Sequence, residues 1–135
     1  MKTLLPFVII IGFGLITFFM TREKSKIDLI SEVYSSSMNC QDSLKIIYKT
    51  DSNYYDLNKY CDGQITYSGT YFSKSNLPYI ETFMNRNNRT TITKVYRENG
   101  MLEREIYNLI IGEYTLKEWD SLGILVSDTI KKKSY

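Results

Sequence analysis

One long apolar run opens the chain, and short runs in which apolar and polar residues alternate follow it. The long run covers residues 4–20 (LLPFVIIIGFGLITFFM) and carries no charge. As a helix, it would span about 26 Å, which is enough to cross a bilayer. The run closes with Phe18-Phe19-Met20, without the small-residue site at which signal peptides are cleaved. We therefore predict that residues 1–21 form a transmembrane anchor or uncleaved signal; a cleaved signal peptide and a buried core helix are the alternatives.

The segment after this run, residues 22–39, changes character twice. It begins with charged residues, and Ile27, Ile30 and Val33 then follow at helical spacing. Three consecutive serines break that pattern, which is typical of a linker. We therefore predict a juxtamembrane linker over residues 22–39, with a helical turn or two, and a folded domain over residues 40–135.

Short runs with a period of two dominate this domain. They are rich in β-branched and aromatic residues and are separated by turn residues. The dipeptide Asn99-Gly100 between two such runs favours a tight type I′ turn. We expect a mainly β fold, in which a small antiparallel sheet of successive β-hairpins follows the N-terminal transmembrane helix. The predicted strands cover residues 44–49, 64–72, 90–97, 101–107, 113–119 and 124–130.

Glycines recur at corresponding positions of three segments. Aligning Gly63, Gly100 and Gly123 places an aromatic residue three or four positions before each glycine and Ile or Leu two positions after it. Such aromatic and aliphatic side chains would face each other across a hairpin. Gly100 and Gly123 are 23 residues apart, whereas Gly63 precedes Gly100 by 37 residues. The longer step predicts an insertion between the first two units, over residues 73–88.

One order of residue types runs through YRENGML (96–102), GEY (112–114) and WDSLGIL (119–125). It resembles the bacterial variant of the MORN repeat, as in the YwqK-like antitoxin repeat family. The resemblance implies an elongated sheet of hairpins with an aromatic face that contacts proteins, and it transfers no catalytic residues. A short β domain without true repeats is the alternative. The repeat turn and packing positions would be Gly63, Tyr96, Asn99, Gly100, Leu102, Gly112, Tyr114, Trp119, Gly123 and Leu125.

The composition argues against several functional classes. The 17 Lys and Arg residues nearly balance the 15 Asp and Glu residues, and a net charge of +2 is too small for a dedicated nucleic-acid binder. The chain contains no His, which removes the usual general base, the common nucleophilic triads and the commonest transition-metal ligand. Glu103 and Glu105 lie beside Arg104 on one strand, where a solvated polar face is expected rather than an acid–base pair. We predict a protein that is not an enzyme and binds no cofactor, metal, nucleic acid or small-molecule substrate.

The two cysteines, Cys40 and Cys61, bear on the compartment. Their separation of 21 residues suits a disulfide and hence an oxidising compartment; two unrelated reduced thiols are the alternative. The positive-inside rule opposes export, because one basic residue precedes the apolar run and three closely follow it. The short N-terminal tail nevertheless resembles that of an export signal. We favour a single-pass membrane protein with an extracytoplasmic domain.

Two functional hypotheses follow from these features. The first is a membrane-anchored, non-catalytic β-repeat domain that contacts the membrane through residues 4–20 and binds an unidentified protein partner. The second depends on the family resemblance alone: an antitoxin- or immunity-like protein that binds and neutralises one partner. The side of the membrane on which the domain lies would separate them.

Overall fold

The computed structural model describes residues 25–40, 43–49 and 53–133. These residues form one helix and an eight-stranded antiparallel sheet in which each strand pairs with the next along the chain. The predicted mainly β fold of successive hairpins is therefore confirmed. The elements are helix α1 (Lys26–Met38) and strands β1 (Ser43–Lys49), β2 (Tyr54–Cys61), β3 (Gln64–Phe72), β4 (Pro78–Met84), β5 (Thr91–Tyr96), β6 (Leu102–Asn108), β7 (Glu113–Trp119) and β8 (Leu125–Lys132).

The predicted anchor, with its apolar run at residues 4–20, lies outside the described residues. In the part of the chain that the structure describes, no helix has the length and apolar character needed to cross a membrane. Helix α1, which follows the apolar run, has 13 residues and belongs to the folded domain.

Helix α1 packs on one face of the sheet, which differs from the linker predicted over residues 22–39. A capping box begins the helix: the N–H of Asp28 donates to the hydroxyl of Ser25 (3.2 Å), and the N–H of Ser25 donates to the carboxylate of Asp28 (3.1 Å). Val33 is fully buried, and the helix contacts β3, β4 and β5. The serines do not end the helix, because Ser37 is buried with its hydroxyl bonded to the helix backbone.

Both faces of the sheet bury apolar side chains, but helix α1 covers only one of them. Beneath α1, Ile92 is fully buried, and the ring of Tyr67 packs edge-on against that of Phe83. Alternation places Thr93 on the opposite face, where its hydroxyl lies 3.1 Å from that of Thr82, but Val95 and Leu116 lie on that face too and are each only 9% exposed. The main core therefore lies between the helix and the middle strands, and the opposite face carries a smaller apolar group.

The hairpins β5–β6 and β7–β8 have the same loop. In the first loop, the N–H of Arg97 donates to the carbonyl of Met101 (2.9 Å), and the N–H of Gly100 donates to the carbonyl of Arg97 (2.8 Å). The second loop repeats both hydrogen bonds 23 residues later, at 2.9 and 3.2 Å. Gly100 and Gly123 have φ angles of 82° and 80°, and a register shift occurs just before each loop. The period seen in the sequence is therefore also a period of the backbone.

The prediction of a type I′ turn at Asn99-Gly100 is wrong. That turn requires positive φ at both residues, and Asn99 is not among the described residues with positive φ. Residues 97–101 connect β5 to β6, and this longer loop needs only one left-handed residue. Two consecutive positive φ angles occur instead at Asp62 (51°) and Gly63 (76°), which alone connect β2 to β3.

Antiparallel pairing in chain order places the turns alternately at two ends of the sheet. We call one of them the helix end, because the N–H of Arg86 donates there to the hydroxyl of Ser36 in α1 (3.1 Å). The turns of the helix end cover residues 62–63, 85–90 and 109–112, and the loops of the opposite end cover residues 73–77, 97–101 and 120–124. Gly63 therefore lies at the other end of the sheet from Gly100 and Gly123, and its alignment with them is wrong.

The insertion predicted over residues 73–88 is also wrong, because this segment contains strand β4 and the loop that leads into it from β3. In that loop Asn76 has a φ of 56° and takes the left-handed position that Gly100 and Gly123 take in the later loops. Asparagine tolerates this conformation better than most residues. The β3–β4 loop is nevertheless one residue longer than the two later loops, because the N–H of Asn76 donates to the carbonyl four residues before it (Phe72, 2.9 Å), whereas Gly100 and Gly123 donate to the carbonyl three residues before them.

Candidate interaction surface

A polar network crosses the helix-covered face of the sheet and is centred on Glu81 in β4. One carboxylate oxygen accepts a hydrogen bond from the hydroxyl of Tyr67 (2.6 Å), and the other accepts from the hydroxyl of Tyr96 (2.8 Å). The hydroxyl of Tyr71 is hydrogen-bonded to that of Tyr67. Register explains the cluster, because Glu81 lies opposite Gly69, which leaves room for the neighbouring rings. The network joins β3, β4 and β5 across their side chains.

Glu105 in β6 anchors a second part of the network. It accepts a hydrogen bond from the hydroxyl of Tyr107 (2.5 Å) and lies 3.6 Å from the ammonium of Lys94. That ammonium also lies 5.4 Å from the centre of the Tyr34 ring in α1. The side chain of Glu105 is only 12% exposed, so the solvated face expected for this residue is wrong. The sequence could not show that α1 covers this part of β6.

The electrostatics of the network keep its phenols protonated. Burial, followed by hydrogen bonding to Glu81, raises the pKa of the Tyr67 and Tyr96 hydroxyls above the usual value. Burial and the hydrogen bond to Glu105 raise the pKa of Tyr107 in the same way. These hydroxyls therefore remain neutral donors to carboxylates, and the arrangement ties neighbouring strands together.

The disulfide joins Cys40, just after α1, to Cys61 at the end of β2. The guanidinium of Arg86 lies beside it, with Nη1 2.9 Å from Cys61 Sγ and 2.7 Å from the carboxylate of Asp62. The bond therefore fixes the C-terminal end of the helix to the helix end of the sheet. Among the described residues, no group of three or more His, Cys, Asp and Glu side chains could hold a metal ion.

The sequence-predicted repeat positions do not converge on one site. In the β5–β6 hairpin, Tyr96 lies opposite Leu102, and the side chain of Asn99 accepts a hydrogen bond from the N–H of Met101 (3.0 Å). In the β7–β8 hairpin, Trp119 lies opposite Leu125, and its carbonyl accepts from Arg97 Nη2 (2.8 Å). Gly63 and Gly112 lie in turns of the helix end, with φ angles of 76° and 85°. These positions hold turns and register, and Arg97 links one hairpin to the next.

A small apolar cleft lies where the start of α1 meets β6, β7 and β8. Its volume is about 140 Å³, and Tyr114, another predicted repeat position, lines it. The other apolar residues that line it are Leu29, Tyr107, Leu109, Ile110 and Ile130. A cavity of this size is too small for most ligands, since binding pockets usually exceed about 300 Å³.

Strand β8 presents an open edge. It pairs with β7 on one side, and no described strand pairs with its other side. Val126 is 63% exposed and Ile130 is 68% exposed. The N–H of Lys133 donates to the carbonyl of Gly112 (2.8 Å), so alternation of the antiparallel ladder points the backbone N–H of Ile130 away from β7. This edge therefore offers both free backbone groups and apolar side chains.

Sequence reasoning missed the features that define these surfaces. Strand β4, with its central Glu81, was assigned to an insertion, although Pro78 at its first position and the alternation that follows are compatible with a strand. The cover over the middle strands was missed because helix α1 was interpreted as a linker. The open edge at β8 follows from the strand order, which only the structure provides.

Comparisons with known proteins found no relative of this chain. The chain matches no family model, no curated protein and no solved structure. The residues and their geometry must therefore support any functional proposal.

Proposed function

We propose that this chain is a membrane-anchored protein, held by residues 4–20, whose sheet lies outside the cytoplasm and binds a protein partner through strand β8. In this proposal the domain binds a partner and catalyses no reaction. The partner adds a strand to the sheet and pairs with the outer edge of β8, which is the mode called β-augmentation.

The open edge of β8 is the observation that supports this proposal. Edge strands are usually shielded by charges, prolines, bulges or a covering loop, because bare backbone groups attract other strands. Strand β8 has lysines at its C-terminal end and one further charge, Asp128, which pairs with Lys117 of β7, whereas Leu125, Val126 and Ile130 leave apolar side chains exposed. An added strand would satisfy the outward backbone groups and cover these side chains.

The Cys40–Cys61 disulfide supports placement outside the cytoplasm. Structural disulfides persist in oxidising compartments and are rare in the cytosol. The predicted anchor would hold the domain at a membrane surface on that side.

Photo-crosslinking in cells tests the edge. The full chain would carry a photoreactive phenylalanine at position 126, with position 47 as the matched control, because Ile47 is a similarly exposed residue (58%) on edge strand β1. We expect one discrete protein adduct from position 126 and none from position 47. Equal labelling from both positions, or none from position 126, would contradict the proposal.

A second variant tests the backbone pairing itself. In the chain labelled at position 126, Ile130→Pro removes the outward N–H without removing a hydrogen bond to β7. We expect Ile130→Pro to abolish the adduct and Ile130→Ala to retain it. An adduct that survives the proline would show that side-chain contacts, not strand addition, recruit the partner.

A second candidate function is an antitoxin- or immunity-like protein that neutralises one partner in the cytosol. The shared loop of the β5–β6 and β7–β8 hairpins, 23 residues apart, favours it because the family resemblance implies hairpins of that period. It requires the domain on the cytoplasmic side and reduced thiols at Cys40 and Cys61. The compartment therefore separates the two functions.

A further inference from the structure

The turn between β6 and β7 is apolar at its tip. Ile111 is 95% exposed, and Ile110 beside it is 57% exposed. The neighbouring turn of the helix end, residues 85–90, has the sequence NRNNRT and presents polar side chains. A turn normally carries polar residues because it is surrounded by water. Two adjacent isoleucines at such a tip indicate that the tip contacts a surface less polar than water.

This tip lies beside the point at which the described chain begins. The ammonium of Lys26 donates to the hydroxyl of Thr115 in β7 (3.3 Å), and Leu29 and Ile110 line the same cleft. Ser25 caps the helix directly before Lys26. The described chain therefore begins at the helix end, beside the isoleucine tip, and the predicted anchor at residues 4–20 precedes this point in the sequence.

Basic residues surround the tip. The N–H of Lys133 donates to the carbonyl of Gly112, and Lys133 and Arg89 line one hollow with Ile111. Lys131 and Lys132, which precede Lys133, are exposed. Glu113 is the acidic residue that lines the adjoining cleft, so positive charge predominates around the isoleucines. Apolar residues ringed by lysines and arginines are the pattern of an interfacial membrane contact.

We propose that the helix end of the sheet rests on the membrane, with Ile110 and Ile111 inserted at the level of the lipid headgroups and the surrounding lysines and arginines contacting anionic lipids. This inference rests on the proposed membrane anchor and adds the orientation of the domain. The strands then stand on the membrane, with the loops at 97–101 and 120–124 directed away from it. The edge of β8 remains open for a partner strand before its C-terminal lysines, which face the membrane.

Tryptophan quenching by brominated lipids tests this contact. The chain has a single tryptophan, Trp119, which lies near the end of the sheet opposite the helix end. In a Trp119→Phe background, the full chain would carry either Ile111→Trp or Leu122→Trp. Leu122 is a matched control, because it is a 78% exposed apolar residue in a loop of the opposite end. Each chain would be reconstituted in vesicles of brominated phosphatidylcholine mixed with phosphatidylglycerol.

We expect quenching to be several-fold greater for Ile111→Trp than for Leu122→Trp. Equal quenching of the two, in chains that float with the vesicles, would overturn the membrane contact and leave the anchor intact. Chains that do not float with the vesicles would overturn both the anchor and this inference. If Trp119→Phe impairs folding, the same comparison is made with Trp119 retained, as the increase in quenching over the chain that has Trp119 alone.

Discussion

The middle strands and the β7–β8 hairpin contain similar residues, but helix α1 buries the middle strands and leaves the last strand exposed. Ile92 in β5 is fully buried, whereas Ile130 in β8, which alternation places on the same face of the sheet, is 68% exposed. The length of α1 explains the difference. Its 13 residues span about 20 Å, and strands about 4.8 Å apart allow it to cross about four of them. A helix of this length stabilises the centre of the sheet and leaves the last strand available for contacts.

The same substitution at these two positions should have very different effects. We expect Ile92→Ala to lower the free energy of unfolding by about 2–5 kcal/mol, because it removes buried methyl groups and leaves a cavity. We expect Ile130→Ala to change it by less than about 0.5 kcal/mol, because about two thirds of that residue is already exposed to solvent. Urea unfolding of the full chain in detergent, followed by circular dichroism, measures both. Similar losses at the two positions would mean that β8 is covered as well.

The disulfide fixes helix α1 to the sheet, so removing it should have the next largest effect on stability. It closes a segment of 21 residues between α1 and β2. We expect Cys40→Ser with Cys61→Ser to lower the free energy of unfolding by about 2–4 kcal/mol, chiefly because the unfolded chain gains freedom. Unfolding of the unmodified chain with and without reductant should give the same difference. A double variant as stable as the oxidised chain would show that the bond does not constrain the helix.

The repeating loops should show a smaller effect that depends on backbone conformation. Gly100 has a φ of 82°, and an added Cβ would lie 3.4 Å from a methyl carbon of Leu77. We expect Gly100→Ala to cost about 1–2 kcal/mol, because a left-handed residue with a Cβ is strained. Gly100→Asn should cost less, since asparagine tolerates positive φ better than alanine and Asn76 adopts it in the β3–β4 loop. Equal costs for the two variants would argue against the left-handed conformation as the reason for glycine at this position.

The smallest effect at neutral pH concerns the tyrosines under the helix. The raised pKa values of Tyr67 and Tyr96 mean that their contribution to stability is complete below about pH 10, the value for an unfolded tyrosine, and is lost as the pH rises through the folded values. We expect Glu81→Gln to lower both pKa values and to increase tyrosinate absorbance at 295 nm above pH 10. Glu98→Gln, an exposed loop variant, serves as the control and should leave the titration unchanged. An identical titration in both variants would exclude Glu81 as a cause.

The sequence predicted the class of fold because alternation and turn glycines are local signals. Strands β1, β3 and β5 to β8 were recognised from them, and β2 and β4 were not. Two errors came from weak local signals: serines obscured the continuation of α1, and Asn76 replaced a turn glycine, so β4 was interpreted as an insertion. The network around Glu81 and the open edge of β8 depend on strand register and order. Those are set by contacts between residues distant in sequence, which local patterns do not encode.

The orientation of the chain in the membrane decides between the two proposed functions. The measurement is a pair of fusions to the carboxyl terminus: a reporter enzyme active only outside the cytoplasm, and separately a fluorescent protein that matures only inside it. We predict enzyme activity without fluorescence, which would place the sheet, its disulfide and the open edge of β8 on the outer side. Fluorescence without enzyme activity would contradict an extracytoplasmic domain and would favour the antitoxin-like function instead.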